Sequence, residues 1–333
     1  MSRLPISHAK RLLSRFKPYL RWVILGGTLF FLASALRSHW TEVTALRVDA
    51  SGWAILTTAL GVTLLAHIWS GWVWSWILRD LNQPATGTWG VLVYLKTNIA
   101  KYLPGNVWHL YGRIVAAKNV GFPATSATLS VLLEPLLMAA AALSIALLGL
   151  RSHHWLLQGL SLLAILTVIH PRFLNPLLGV ASRLKGKSQA VTAAENTSGA
   201  ISTSNRLQIK HYPLRPLLGE LLFVVLRGSG FVLTVLVLAP LQLAQLPMIL
   251  STFAFAWMLG LIIPGAPGGI GVFEATAITL LNGQLSAAVI LGSVTLYRLI
   301  STLAEAGGAG LAWLDDRSSH TQSRRSNPPV KKR

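Results

Sequence analysis

The chain has no cysteine, which excludes thiolate catalysis, disulfide staples and cysteine-ligated metal. Charge is also scarce: 12% of the 333 residues are Asp, Glu, Lys or Arg, and only 10 are acidic. No stretch reads as a soluble catalytic domain, so any chemistry falls to residues at membrane depth or at its edge. Catalytic signatures are missing too. No Gly-Lys-Ser/Thr follows the glycine-rich stretches, so no nucleotide P-loop is present. His67, His109 and the adjacent His153 and His154 lack the i, i+4 spacing of a zinc motif, and no nucleophile–base–acid set is legible. Neither a metal nor a cofactor is expected.

Apolar residues dominate instead, at 53% of the chain with a mean hydropathy of +0.56. Several apolar runs approach the roughly 20 residues that carry a helix across a bilayer. An all-α integral membrane protein is expected, with about six full spans at 19–36, 53–78, 125–150, 154–169, 216–240 and 286–314. Four tryptophans in the second span, Trp69, Trp72, Trp74 and Trp76, suit an interfacial end. The basic start and the apolar run from Trp22 to Leu36 mimic a signal peptide, but the long basic region and the spans that follow point to an uncleaved first helix.

The net charge of +19 does not indicate nucleic acid, because of where it sits. Six Lys/Arg fall in residues 1–21 with no acid, seven in 170–215 beside Glu195, and six in 315–333 beside Asp315 and Asp316. Basic clusters at the ends and in one loop follow the positive-inside rule and also suit contact with anionic headgroups. The chain therefore divides into a basic cytoplasmic segment at 1–18, a membrane domain at 19–314 with a polar cytoplasmic loop at 170–215, and a polar basic tail at 315–333. Both termini are expected in the cytoplasm of a bacterial inner membrane.

With these regions inside, the count closes only if residues 84–124 begin and end inside and residues 241–285 begin and end outside. Each is then a re-entrant hairpin or a pair of short helices, and each contains a Pro-Gly break. Breaks approached from opposite faces are what inverted-topology repeats produce. The first, "TNIAKYLPGNVWHLYGRIVAAKNVG", breaks at Pro104 and Gly105, after which Asn106 is placed to cap a new helix. The second, "IIPGAPGGIGVFEA", breaks at Pro264, Pro267 and the glycines Gly268, Gly269 and Gly271. Non-helical backbone at membrane depth is tolerated where it lines a cavity or is buried in protein. The helix start beyond Gly269 favours an anion, and Glu274 is placed to satisfy that end itself.

Ionisable residues inside apolar spans are functional candidates by default. Glu134 lies in the third span, Arg227 in the fifth with Glu220 seven residues earlier, and Arg298 and Glu305 in the last, also seven apart. Lys101, Arg113 and Lys118 flank the first break. One expectation is that Arg298 pairs with Glu274, Glu305 or Glu134 to hold helices together. The other is that Lys101, Arg113 and Arg298 neutralise a phosphate-bearing headgroup while the carboxylates tune them.

"KYLPGNVWHLYGR" and "PGAPGGIGVFEA", in this order among these spans, resemble the lysylphosphatidylglycerol synthase transmembrane-region family over roughly residues 15–315. That family includes the flippase-type membrane half of the bacterial multiple peptide resistance factor and stand-alone relatives. The resemblance singles out Lys101, Pro104, Gly105, Gly112, Arg113, Pro267, Gly268, Gly269, Gly271 and Glu274. In two-part relatives an aminoacyl-transferase domain follows; here a short tail runs to Arg333, so only the translocation half is implied. The expectation is a non-enzymatic protein that binds an anionic phospholipid or lipid-linked headgroup and moves it between leaflets. The alternatives are a membrane-embedded lipid-modifying enzyme and a non-transporting scaffold. Membrane lipids are the expected partners, and self-association is left open.

The topology has a direct test. In this cysteine-free chain, cysteines introduced at Ser188 and Ser323 should label from the cytoplasmic side alone; labelling from opposite sides would overturn the six-span count.

Overall fold

The computed structural model describes residues 48–102, 107–149, 155–173, 175–176, 211–263, 269 and 271–326. The described residues form helices and turns, with no strand among them. In chain order the α-helices are α1 (Ala50–Asp80), α2 (Gly87–Asn98), α3 (Trp108–Asn119), α4 (Ala124–Gly149), α5 (Trp155–Val168), α6 (Leu214–Leu238), α7 (Leu246–Ile262), α8 (Val272–Leu281) and α9 (Ala287–Ser326). A 3-10 turn, Ile99–Tyr102, ends α2, and another, Leu243–Gln245, leads into α7.

Five of these segments are long and apolar enough to cross a membrane: Ala50–Asp80, Ala124–Leu147, Leu214–Leu238, Leu243–Ile262 and Ala287–Arg317. The architecture is multi-pass and helical. Four of the five coincide with expected spans. The expected first span, 19–36, lies outside the described residues. Two expectations are revised. Among the described residues of 154–169 the helix is the 14-residue α5, about 21 Å at 1.5 Å per residue. Within the second broken segment a helix is expected from Pro247 to Ile263 and is found as α7; with the 3-10 turn before it, Leu243–Ile262 makes a 20-residue stretch long enough to cross a membrane, which the expected short element is not. Pro247 does not interrupt it, because it sits at the helix start, where its missing N–H has no intrahelical partner to lose. Only the ten-residue α8 remains a short helix there. The first broken segment is the expected pair of short helices, α2 and α3, of 12 residues each. α9 continues through the expected boundary at Asp315 to Ser326.

α6 packs against α1, α4, α7 and α9. α1 begins with Asp49 accepting from Gly52 N–H at 2.7 Å, an Asp N-cap that satisfies one of the free amides of the first turn. The tryptophans of α1 do not form an exposed interfacial band. Trp74 is wholly buried, stacks on Trp89 at 5.4 Å and donates to Ser130. Trp69 donates to the Gly219 carbonyl at 2.8 Å and meets Trp76 edge-on. Trp72 is the exposed member of the four. A second aromatic cluster joins α6, α7, α8 and α9, where Phe231, Phe253, Phe273 and Tyr297 contact one another at 5.4–5.7 Å.

Where apolar matter surrounds helices, burial drives their association weakly and close backbone approach matters more. α1 and α2 meet at Gly71 and Gly90: a Cβ on Gly71 would lie 2.7 Å from Val91 Cα, and one on Gly90 2.8 Å from the Gly71 carbonyl oxygen. Gly61, on the same helix, has open space around it. Gly71→Ala should therefore destabilise by about 1–3 kcal/mol through overpacking, while Gly61→Ala leaves stability unchanged or slightly higher. Thermal unfolding in detergent separates the two; equal midpoints would contradict the contact.

Candidate functional site

A cavity of about 300 Å³ lies among α1, α2, α3, α4, α6, α7 and α9, with Gly269 and Phe273 of the second broken segment on its wall. Lys101, Arg113, Arg227 and Arg298 all line it. The sequence places the first two at one break and Arg298 within the last span, and the fold brings them to one chamber. Its other wall is apolar, from Met138, Phe223, Trp257, Leu261 and Val294.

The cations are held by three carboxylate centres. The first is Glu305 of α9, fully buried at its side chain. Its Oε1 takes Lys101 Nζ at 2.6 Å, His67 Nε2 at 3.2 Å and Ser301 Oγ at 3.3 Å, with Arg227 Nη1 at 3.8 Å. Arg227 donates from Nε to the Tyr297 hydroxyl and from Nη2 to Ser301 Oγ, each at 2.9 Å. Asn98 Nδ2 lies 3.5 Å from His67 Nδ1. Thus α1, α2 with its terminal 3-10 turn, α6 and α9 meet at one carboxylate. Two formal cations share it, so this centre carries a surplus positive charge.

The second centre is Glu134 of α4, whose Oε2 accepts from Arg113 Nη1 at 2.5 Å. The Arg113 guanidinium lies over the Tyr94 ring at 3.7 Å, a cation–π contact strengthened by removal from water. Tyr94 in turn accepts from Ser70 at 2.8 Å. Pro135 follows Glu134 inside α4 and cannot donate to the carbonyl of Val131, loosening the helix ladder beside the ion pair.

The third centre is Glu274 of α8. Its Oε2 accepts from the Gly271 N–H and its Oε1 from Arg298 Nε, both at 2.5 Å. Arg298 also donates from Nη2 to the Gly269 carbonyl at 3.2 Å. Gly269 has φ +69° and Gly271 φ +80°, and a Cβ on Gly269 would stand 3.0 Å from Gly260 Cα. Both backbone angle and space demand glycine at 269. The expectation that Glu274 satisfies the helix start is met, and Arg298 selects Glu274 among its three expected partners.

Other expectations change. Of the two sets of charges noted seven residues apart, neither Arg227 and Glu220 nor Arg298 and Glu305 forms an ion pair. Residues seven apart share a face, but Arg227 finds its carboxylate on α9 and Arg298 finds its own on α8. The helix expected to follow Asn106 begins at Trp108 with Val107 at the cap position and no side-chain cap bond. Pro104, Gly105, Asn106, Pro264, Pro267 and Gly268 lie outside the described residues. Sequence reasoning passed over Asn98, Tyr297 and Ser301, and weighed His67 only as a metal ligand. Their only signal was a polar side chain within an apolar run. Among the described residues, no cluster of three or more His, Cys, Asp or Glu is arranged to hold a metal ion.

Removing a buried carboxylate leaves its cations uncompensated, at about 3–5 kcal/mol for a fully buried pair. Glu305→Ala should lower the unfolding midpoint far more than Glu274→Ala, because the Arg298 side chain is 31% exposed and water replaces part of that pairing. Equal losses in a thermal melt would refute the ranking.

Compared with known proteins, the chain matches no family model and no curated protein.

Proposed function

We propose that this protein binds an anionic phospholipid or lipid-linked headgroup and moves it between the leaflets of a bacterial inner membrane, both termini being cytoplasmic. One observation carries the reading: Lys101, Arg113, Arg227 and Arg298 line a single cavity that also has an apolar wall. An amphiphile needs both halves. Guanidinium groups offer paired N–H donors to phosphate oxygens, and the wall of Met138, Phe223, Trp257, Leu261 and Val294 takes the first carbons of a chain. The surplus positive charge at Glu305 favours an anion over a neutral or zwitterionic headgroup. The resemblance of the two Pro-Gly motifs to the lysylphosphatidylglycerol synthase transmembrane-region family points the same way. Lys101 belongs to the first broken segment and Arg298 is bonded to Glu274 and Gly269 of the second, so a phosphate bound to both would sit between the two.

Purified protein reconstituted into liposomes with fluorescent phosphatidylglycerol should speed leaflet exchange over protein-free vesicles, with less effect on fluorescent phosphatidylcholine. Arg298→Ala, at the partly exposed cation, should slow exchange about tenfold or more while the protein stays folded. Unchanged exchange with Arg298→Ala would remove Arg298 from the binding site, and no exchange of any anionic lipid by folded protein would overturn the reading.

A further inference from the structure

Glu220, one turn before Phe223 on α6, is a buried ionisable residue that the site leaves unused. It is wholly buried, and neither carboxyl oxygen has a hydrogen-bond partner among the described residues. No donor on the elements packed against it is bonded to it. α6 packs against α1, α4, α7 and α9, and α7 has no ionisable side chain. From α4 comes Glu134, and behind it Arg113 from α3; both act on Glu220 through space. Arg113 is already bonded to Glu134. On the α1 side His67 is bonded to Glu305, and Trp69 spends its N–H on the Gly219 carbonyl. α9 brings Tyr297, Arg298 and Glu305, each engaged in the cation network. At the outer end of α6, Arg215 stacks on Trp76 at 4.3 Å, with Asp80 at the end of α1.

The charge balance gives this carboxyl a purpose. Four cations line the cavity, and three carboxylates, Glu134, Glu274 and Glu305, are bonded to them. An ionised Glu220 makes a fourth negative charge and brings the set to neutrality. A proton on Glu220 leaves one positive charge unbalanced in a medium of low dielectric constant, where attraction for an anion is strong. The other three carboxylates are poor proton acceptors, since protonating any of them breaks an ion pair of 2.5–2.6 Å. Glu220 has no pair to break.

We propose that Glu220 is a proton site coupled to the anion site: its carboxylate takes up one proton as the cavity takes up one singly charged anion, and both leave together. This rests on the transport reading above and adds its driving ion. An O–H bond forms on loading and breaks on release, with no electron transferred. The loaded site has the same total charge as the empty one. By linkage, the anion strengthens proton binding by the factor that the proton strengthens anion binding. An imposed pH gradient then drives the lipid.

The test uses the full chain in liposomes with fluorescent phosphatidylglycerol, a pH dye trapped in the lumen, and a one-unit pH gradient. Wild-type protein should enrich the lipid about tenfold in the leaflet facing the alkaline side, since one proton per lipid is worth about 1.4 kcal/mol per pH unit. Protein-free vesicles give the background. Proton entry with the lipid should register on the dye in wild-type protein alone, so the result does not depend on a variant folding. Glu220→Gln should distribute the lipid evenly despite the gradient, and Glu220→Asp should retain part of the enrichment. Exchange by wild-type protein with no proton movement and no response to the gradient overturns the coupling and leaves the transport reading intact. A full gradient response in Glu220→Gln overturns the assignment to Glu220. No exchange by folded protein overturns the transport reading and this inference with it.

Discussion

A carboxylate buried at membrane depth requires positive partners, and Glu305 finds them on other elements. Its side chain is completely enclosed, and one oxygen gathers Lys101 from the 3-10 turn after α2, His67 from α1 and Arg227 from α6. None of these groups is tolerable alone in an apolar interior. The need to compensate one negative charge therefore fixes the mutual positions of four segments separated by up to 238 residues in sequence (Glu305 less His67). The cavity beside it is polar where Lys101 and Arg227 line it and apolar on its other wall.

The glycines act on the same geometry from the opposite direction. Ion pairing sets which helices meet, whereas Gly71 and Gly90 set how near α1 and α2 come. At the second broken segment Gly269 lies against Gly260, and this contact brings a main-chain carbonyl within reach of Arg298. Backbone and side chain thus share the task of holding that guanidinium, Glu274 on one edge and Gly269 on the other. Of the aromatic cluster of Phe231, Phe253, Phe273 and Tyr297, Phe273 and Tyr297 line the cavity, and Tyr297 belongs to both systems through its bond to Arg227.

Much of the helical layout was readable from apolar run length, because a span needs a fixed number of residues and the interruptions are polar. Runs with ambiguous ends misled. The apolar stretch at 154–169 shows 14 helical residues among those described, and Leu243–Ile262, read only as part of a broken segment, is long and apolar enough to cross a membrane. Of the site, Lys101, Arg113, Arg298 and Glu274 were legible as charges in apolar surroundings or at a Pro-Gly break. Their partners were not. Helical periodicity tells which residues share a face but not which face of another helix opposes it. Arg227 shares a helix face with Glu220, seven positions back, yet its carboxylate partner stands 78 positions ahead (Glu305 less Arg227). His67, Asn98, Tyr297 and Ser301 are polar residues of ordinary helices until tertiary packing aims them at one point.

The pairing of Arg227 with Glu305 has a consequence for biogenesis. Helices leave the ribosome in order, and α6 precedes α9. On insertion scales a charge at the centre of a span costs about 2.5–3.5 kcal/mol, against about 0.3–0.6 kcal/mol gained per Leu, Ile, Val or Phe. α6 carries both Glu220 and Arg227 among its leucines, valines and phenylalanines, so its own apolar residues must offset two charged groups before Glu305 exists. Its high hydropathy, 2.4 over its best window and the greatest of the five spans, is thus a requirement of synthesis as well as of the finished fold. The surplus of aliphatic side chains on α6 carries the arginine into the bilayer, where it waits for a carboxylate not yet translated.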